Sequence, residues 1–322
     1  MVSITYTDVS FPYNSISVDE FVNQLNLDYL GKDISRNDIL SSLKDGMGVN
    51  KVYFGDRNEE VEIFSHLLEK YFSSTAAFPE DISYIIYTRG NSIAVGDPWS
   101  LTENTCINVP YFLLEKYQLI NAQIFNVEQE CSSSLIALKI AKSLISDNYN
   151  KRILLLSRNY FENPDKRIMG GTIVVSDGVG ILEVSDSLKG LEIIDFYSVS
   201  KGNISMVKDL ASSKNIVDVF TTGSKLIHEL LSRNNLTINN ISCIIPQNLS
   251  RFSWNLYCKI LPFPINRVFL DNISDGGHMG DVDIIRNISS VIEKGILNKN
   301  DYALVYGLGT GTSWNALLLK MN

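Results

Sequence analysis

The chain has 322 residues, of which 45% are hydrophobic and 20% charged, and its formal net charge is -8 with a sequence pI near 5.0. This length is enough for one large domain or two moderate ones with a sizeable core. The acidic balance disfavours sequence-independent binding to nucleic acid and attraction to an anionic membrane surface, because both need a basic footprint.

The first residues contain no basic segment followed by an apolar run, and no stretch of about eighteen apolar residues exists, so we predict neither a signal peptide nor a membrane span. The four cysteines are Cys106, Cys131, Cys243 and Cys258, and their spacing fits no zinc or CxxC pattern. We therefore expect free thiols in a reducing compartment, the cytoplasm, with no metal site and no tightly bound cofactor.

Short β-rich runs alternate with longer helical patterns along the chain, which predicts an α/β fold with largely buried sheets. Pattern and length together predict, in chain order, a helix over residues 60–72, a strand over 82–87, a helix over 109–117, a strand over 124–127, a helix over 133–146, strands over 153–157, 172–175 and 180–184, a helix over 222–232, a strand over 243–245, helices over 250–260 and 284–294, and a strand over 302–306.

A weak internal symmetry suggests two halves. A strand, a junction and a helix over residues 125–146 are matched by a strand, a polar turn and a helix over residues 244–260. We place the division after the segment SDGVGILEV, which gives halves of residues 1–184 and 185–322.

Cys131 is the strongest candidate nucleophile. A β-run leads into it, and a helix with apolar residues near a 3.6-residue repeat follows, begun by three serines suited to capping. A cysteine at a helix N-terminus has its thiolate stabilised by the helix dipole, and a sharp strand-to-helix turn exposes the sulfur to substrate. The alternative is an inert buried cysteine, which is common.

His278 is the candidate partner. His66 and His228 lie in amphipathic helical patterns, where a surface or core-edge position is expected, whereas His278 lies in the glycine-rich run DGGHMGDVD. Glycines allow close approach of backbone to substrate, and scaffolded loops tend to carry function. Asp281 and Asp283 are near enough in sequence to orient the imidazole. A plain turn that happens to contain a histidine is the alternative.

Several blocks, in order along nearly the whole chain, resemble those of ketoacyl-ACP synthase III-like enzymes, the starter condensing enzymes of fatty acid and polyketide assembly. The blocks are the turn at residues 45–49 (DGMGV), the nucleophile segment at 131–138 (CSSSLIAL), the glycine-containing segment at 171–180 (GTIVVSDGVG), the run at 245–248 (IPQN), and the closing run at 306–314 (YGLGTGTSW).

The resemblance implies a thiolase fold, with two similar halves in a five-layered α-β-α-β-α arrangement. Residues 1–184 would be the thiolase-like half with the nucleophile Cys131, and residues 185–322 the half with the catalytic His278 loop. It also implies an oxyanion hole made by the backbone N–H of Cys131 and one from the turn that holds Gly309 and Gly311. It further implies a homodimer, paired through strands near residues 153–157 or neighbouring residues.

Two departures from the family pattern concern the catalytic pair. Gln247 stands where the family has its histidine, and His278 stands where the family has its asparagine. This looks like a divergent branch that transfers acyl groups to oxygen, nitrogen or sulfur acceptors. A physical reason supports that reading, because Asp283 accepting a hydrogen bond from His278 would raise its basicity and fix its tautomer.

We therefore predict an acyltransferase that loads an acyl group from acyl-CoA or an acyl-phosphopantetheine carrier onto Cys131. His278 would activate a small-molecule acceptor, and Gln247 would orient the acceptor or the thioester carbonyl. Arg251 and Lys214 are candidates for docking an acidic carrier protein. The alternatives are a decarboxylative 3-oxoacyl-ACP synthase, a non-catalytic partner subunit of a heterodimer, and a hydrolase.

Overall fold

The computed structural model describes residues 1–27, 35–56, 59–89, 108–146, 151–161, 164–169, 172–202, 213–309 and 312–322. Eight α-helices and thirteen strands are formed by these residues. The helices are α1 (Val18–Gln24), α2 (Arg36–Ser41), α3 (Glu59–Ser74), α4 (Val109–Lys116), α5 (Ser133–Ser146), α6 (Ser213–Arg233), α7 (Arg251–Ile260) and α8 (Val282–Glu293).

Nine of the thirteen strands form one large mixed sheet, and the other four form two small ribbons, β2 with β3 and β7 with β8. The strands are β1 (Val2–Ser10), β2 (Asn14–Ser17), β3 (Lys51–Phe54), β4 (Ile82–Arg89), β5 (Gln123–Val127), β6 (Arg152–Asn159), β7 (Ile168–Met169), β8 (Ile173–Val174), β9 (Gly178–Asp186), β10 (Leu191–Ser200), β11 (Ile241–Pro246), β12 (Tyr302–Gly309) and β13 (Ser313–Met321).

The order of the large sheet is β11-β12-β13-β10-β1-β9-β6-β4-β5. The two ends of the sheet share one pattern, a parallel pair of strands followed by an antiparallel pair. At one end β4 and β6 are parallel and β6 and β9 antiparallel; at the other end β11 and β12 are parallel and β12 and β13 antiparallel. The two ends meet at β1 and β10, which pair only through Ser3 with Glu192 and Ile4 with Leu191.

Side-chain alternation along the strands gives the sheet two buried faces. Ile153 and Leu155 of β6 pack into a central core together with α5 and α8, whereas Leu154 and Leu156 pack outward with α3 and α4. In the same way, β12 and β13 send alternate residues to the central core and to an outer core with α6 and α7. The two ends of the one large sheet thus form two layers, with helices between them and on the outside of each. This arrangement confirms the predicted α-β-α-β-α architecture.

All six predicted helices are present, five of them within two residues at both ends; the exception is α6, which begins at residue 213 rather than 222. The predicted strands are present as well, but the one at residues 172–175 is only a two-residue strand that pairs with β7 outside the large sheet. Three long strands, β1, β10 and β13, were not among those predicted. The division at residue 184 stays a prediction, and β9 runs across that position.

The expected pairing of two chains near residues 153–157 stays a prediction, but residues 153–157 themselves have no free strand edge for it. These residues belong to β6, whose two edges are already hydrogen-bonded to β4 and β9. The outer strand of this end of the sheet is β5, which pairs with β4.

None of the helices in the described ranges is both long enough and apolar enough to cross a bilayer.

Candidate active site

Cys131 lies in the turn between β5 and α5, two residues before the helix begins. The preceding residue, Glu130, has φ of 51°, a left-handed conformation that is uncommon for a residue other than glycine. Ser133 stabilises the turn, because its hydroxyl accepts from the Gln129 N–H at 2.7 Å and lies 2.7 Å from the Glu130 carbonyl and 3.0 Å from the Arg89 carbonyl. The predicted strand–turn–helix arrangement around Cys131 is therefore present, and the strained backbone at Glu130 lies next to the cysteine.

The turn is also tied to the other end of the sheet. Asn315 of β13 donates to Gln129 Oε1 at 3.0 Å and to the Ser132 hydroxyl at 2.9 Å. Cys131 itself is buried, with 6% of its surface exposed. A thiolate here lies at the positive end of the α5 dipole, which favours its charge.

His278 lies in a loop that only glycine-rich sequence can form. Gly276, Gly277 and Gly280 all have positive φ, and a β-carbon on Gly277 would approach the Val174 carbonyl oxygen to 2.9 Å. The loop is fixed to the chain before β9, because the His278 N–H donates to Val174 at 3.1 Å and its carbonyl accepts from the Ser176 N–H at 2.8 Å. The imidazole is consequently held on a rigid backbone next to the start of α8.

Asp283 orients the imidazole, with its Oδ2 at 2.6 Å from His278 Nδ1. The same carboxylate accepts from the Met279 N–H at 2.9 Å, the Asn248 N–H at 2.8 Å and the Asn248 side-chain amide at 3.1 Å. Nδ1 is thereby assigned as the ring donor, so Nε2 is the ring nitrogen available for chemistry. Nε2 is buried and makes no hydrogen bond of normal geometry with the described residues.

The electrostatics of His278 couple it to Cys131. Burial opposes charge on the imidazole, but the Cys131 thiolate and then the Asp283 carboxylate outweigh burial and raise the pKa of His278 to about 10. Cys131, His278 and Asp283 are thus brought together as one interacting group. The group therefore combines a thiol with an imidazole that a carboxylate orients, the residue types that thiol-based nucleophilic catalysis uses.

Gln247 contacts the nucleophile from the other side. Its side-chain N–H₂ donates to the Cys131 carbonyl, and its Oε1 accepts from the Leu308 N–H at 2.8 Å. Gln247 therefore links the nucleophile turn to β12, and its role in orienting an acceptor or a thioester carbonyl stays a prediction.

Gly309 is packed against the nucleophile turn. A β-carbon there would lie 2.6 Å from the Ser313 hydroxyl and 2.8 Å from the Gln129 carbonyl oxygen. The close approach explains why glycine is needed at the end of β12. Gly311, the other residue predicted to form the oxyanion hole, lies outside the described residues.

The other two histidines, and the two other thiols that the structure describes, lie elsewhere in the fold. His66 on α3 and His228 on α6 are exposed, as expected for helix-surface residues. Cys243 and Cys258 are buried, and burial raises the pKa of the first to about 12 and of the second to about 11, which makes them poor nucleophiles. Cys106 lies outside the described residues.

Asn248 was not predicted as a residue of the site, although it directly follows Gln247. It holds Asp283 through two donors, and its own Oδ1 accepts from Asn287 of α8 at 2.9 Å. The sequence marks only a polar turn after β11, and the structure is needed to show that two successive side chains there contact different members of the site. Asp281 and Asp283 both follow the histidine closely in sequence, and the contact expected between Asp283 and the imidazole is present.

Residues 231–321 match the family model described as 3-oxoacyl-[acyl-carrier-protein] synthase III C terminal. Among curated proteins, the chain is 23% identical over 299 residues to a beta-ketoacyl-[acyl-carrier-protein] synthase III of Clostridium perfringens, with 85% of this chain and 88% of that protein covered. It is also 25% identical over 220 residues to a protein of the same description from Rickettsia bellii, with 63% and 68% covered.

Solved structures show the same fold. The 3-oxoacyl-[acyl-carrier-protein] synthase III of Aquifex aeolicus superposes with a TM-score of 0.78 at 19% identity, covering 99% of this chain and 100% of that one. ChlB3, described as an acyltransferase, superposes with a TM-score of 0.79 at 17% identity, covering 99% and 97%. The predicted thiolase-type α/β architecture is confirmed by these superpositions.

Proposed function

Since the chain is a ketoacyl-ACP synthase III-like enzyme of the thiolase superfamily, we propose that it is a thioester-dependent acyltransferase in which Cys131 carries the acyl group. The acyl group passes to an oxygen, nitrogen or sulfur acceptor that His278 activates. The observation that carries this proposal is the 2.6 Å contact between His278 Nδ1 and Asp283, which leaves the buried Nε2 as a base beside Cys131.

In the first half-reaction, the Cys131 thiolate attacks the carbonyl carbon of an acyl-CoA or acyl-carrier thioester. The new S–C bond forms as the bond to the departing thiol breaks, and His278 gives its proton to the leaving thiolate. Charge on the tetrahedral intermediate would be met by the N–H of Cys131 and one from the Gly309 turn. The step ends with a neutral imidazole and an acylated cysteine.

Acylation changes the state of His278. The attraction of the thiolate is the largest of the contributions that raise its pKa, and a thioester carries no charge. Without the thiolate, less attraction offsets the effect of burial, and the pKa of His278 falls. The imidazole therefore becomes available as a base only after Cys131 has been loaded.

In the second half-reaction, neutral His278 takes the proton of an incoming hydroxyl, amine or thiol through Nε2. The acceptor forms its bond to the acyl carbon, and the bond to the Cys131 sulfur breaks. The thiolate and imidazolium are restored without any other proton donor. Asp283 stabilises the imidazolium in both half-reactions and keeps the ring in one tautomer.

Carbon–carbon bond formation is the second candidate. Decarboxylation of a malonyl thioester needs two donors on one carbonyl rather than a base. His278 is oriented by a carboxylate, as a base is, and the Gln247 amide is partly engaged with the Cys131 carbonyl. These contacts favour direct transfer, and the acyltransferase description of ChlB3, a protein of the same fold, agrees with it.

Two further alternatives have less support. A non-catalytic partner subunit has no use for a cysteine on a strained turn beside an oriented histidine. Hydrolysis would use the same groups with water as the acceptor, and it is distinguished below by the fate of the acyl group.

The proposed donors are acyl-CoA or an acyl carrier protein, with the cytoplasm as the compartment. We also propose a homodimer, paired at β5, where Phe125 is 38% exposed on the outer strand of the sheet. Static light scattering of the native chain measures this directly, and a monomer at micromolar concentration contradicts it.

Intact-protein mass spectrometry tests the function. Wild type and Cys131→Ala are incubated with a panel of acyl-CoA and acyl-carrier thioesters, with and without malonyl thioester. A wild-type adduct that is absent in the variant and stable to malonyl thioester supports transfer to a heteroatom. Discharge by malonyl thioester with loss of carbon dioxide favours the synthase, spontaneous discharge with release of free acid favours hydrolysis, and no adduct with any donor overturns all three.

A further inference from the structure

A second buried aspartate lies beside the site and takes no part in the proposed chemistry. Asp281 is fully buried and directly precedes α8, three residues after His278. Its Oδ2 accepts from the Thr88 hydroxyl at the end of β4 and from the Ser157 hydroxyl of β6 at 2.7 Å. Its backbone carbonyl accepts from the Ser134 hydroxyl of α5 at 2.9 Å. One residue thus contacts three elements that meet beneath the active site.

These contacts connect the two chemical groups. Ser134 is in the first turn of α5, three residues after Cys131, and Thr88 adjoins Arg89, whose carbonyl is bound by Ser133. On the other side, Asp281 belongs to the loop that carries His278. A displacement of Asp281 would therefore change the separation of sulfur and imidazole without removing any group that reacts.

We propose that Asp281 is a positioning residue, which fixes the His278 loop against β4, β6 and the Cys131 helix through these three hydrogen bonds. The inference rests on the proposed function, because it concerns the geometry of the Cys131–His278 pair.

The charge state of Asp281 gives the proposal a signature. Burial raises its pKa to about 7, although the Thr88 and Ser157 hydroxyls and the Arg158 guanidinium favour the charged form. Arg158 of β6 is the charged group that acts on it from the neighbouring elements, and Glu60 and Tyr87 share that guanidinium. The second carboxylate oxygen, Oδ1, is buried and has no hydrogen-bond partner in the described part of the chain. Ionisation near neutral pH therefore places a poorly compensated charge at the base of the His278 loop.

The experiment is an NMR titration of the imidazole signals, which the small number of histidines makes tractable: the chain has three. Signals are assigned with His66→Gln and His228→Gln. In wild type, the His278 signal should show a small chemical-shift step near pH 7, where Asp281 ionises, and its own titration at about 10.

Asp281→Asn keeps an acceptor for both hydroxyls but cannot ionise, so it should remove the step near pH 7 and leave the titration of His278 and the acylation rate within about two-fold of wild type. Asp281→Ala removes both hydroxyl bonds and should slow acylation of Cys131 by on the order of 100-fold, as a misplacement of about 1 Å does. Ser134→Ala, which removes only the bond to the carbonyl, should give a smaller loss of the same kind in a folded protein and serves if Asp281→Ala fails to fold.

The possible failures are distinguishable. If the wild-type His278 signal titrates at the ordinary value, the Cys131–His278 pair is absent, and both the proposed function and this inference are overturned. If it titrates at about 10 and neither Asp281→Asn removes the step nor Ser134→Ala alters acylation, the positioning role alone is overturned.

Discussion

Asn248 donates two hydrogen bonds to Asp283, one from its backbone N–H at 2.8 Å and one from its side-chain amide at 3.1 Å. With His278 Nδ1 and the Met279 N–H, four donors converge on this carboxylate and hold it in one orientation. The turn after β11 therefore controls the imidazole through Asp283, without touching the ring itself.

Asp283→Asn should lower the rate of acyl transfer from loaded enzyme to acceptor by about 10²- to 10⁴-fold, the usual contribution of a general base. An asparagine amide cannot accept from all four donors, so the ring loses its fixed tautomer. Single-turnover transfer from acylated enzyme measures this, with Asn248→Ala expected to give a smaller loss. A transfer rate equal to wild type would show that Asp283 has only a structural role.

Cys131→Ala should lower the pKa of His278 below its value of about 10, because the thiolate is the largest contribution that raises it. Burial would then oppose the cation with only Asp283 to offset it. The imidazole NMR titration used for Asp281 measures the change. An unchanged titration would mean that Cys131 and His278 do not interact in solution.

The charge on His278 should make stability depend on pH in a defined window. Folding raises its pKa from 6.5 to about 10, so its contribution to the free energy of unfolding is complete below 6.5 and is lost as the pH rises through about 10. Within the window the folded state binds more protons, and stability falls by up to about 1.4 kcal/mol per pH unit from this group. Urea unfolding across this range should show a shallower fall for His278→Gln; parallel curves would contradict the assignment.

Gly309→Ala should slow acylation of Cys131 by on the order of ten-fold or more, because a misplaced nucleophile loses its alignment with the thioester. The added methyl group would press on the Gln129 carbonyl oxygen, 2.8 Å away, and so on the nucleophile turn. Gly202→Ala is the matched control, since nothing lies within 4 Å of its β-carbon position. Equal acylation rates for the two variants would argue against a tight fit at Gly309.

Gly223 within α6 should resist replacement, although alanine is the better helix former by about 1 kcal/mol. A β-carbon there would overlap the hydroxyls of Tyr257 and Tyr306, which hydrogen-bond to each other at 2.7 Å. Gly223→Ala should therefore lower the free energy of unfolding by roughly 1–3 kcal/mol. Adding Tyr257→Phe should restore part of the loss in thermal or urea unfolding; no recovery would place the strain elsewhere.

Helices and strands could be predicted from the sequence where one periodic pattern of apolar residues dominated a segment. Helix α5 was predicted with the bounds that the structure gives, because its apolar repeat begins directly after the serines. Strand β13 was missed because its run SWNALLLKM has four adjacent apolar residues and no alternation, since one of its faces packs into the central core and the other into an outer core. Such a run does not differ from a buried helix in periodicity, and only the tertiary pairing decides.

Part of the candidate site could likewise be predicted from the sequence. Cys131 and His278 stood out because each occupies a turn of unusual local composition, and Asp283 lies within one helical turn of the histidine. Asn248, Asn315 and the contacts of Asp281 could not be inferred, since they join segments that are distant along the chain and depend on how the two sheet ends dock. All the predicted catalytic roles stay predictions, namely those of Cys131, His278, Asp283, Gln247, Gly309 and Gly311.

Cys131 and His278 are far apart along the chain, so the two parts of the site are synthesised at different times. Cys131 stands at the start of α5 and His278 just before α8, and these helices pack together in the central layer. During synthesis from the N-terminus, the nucleophile leaves the ribosome long before its histidine does. In a nascent chain Cys131 therefore has no His278 beside it, and the proposed acyl transfer could begin only after α8 has been made and has docked.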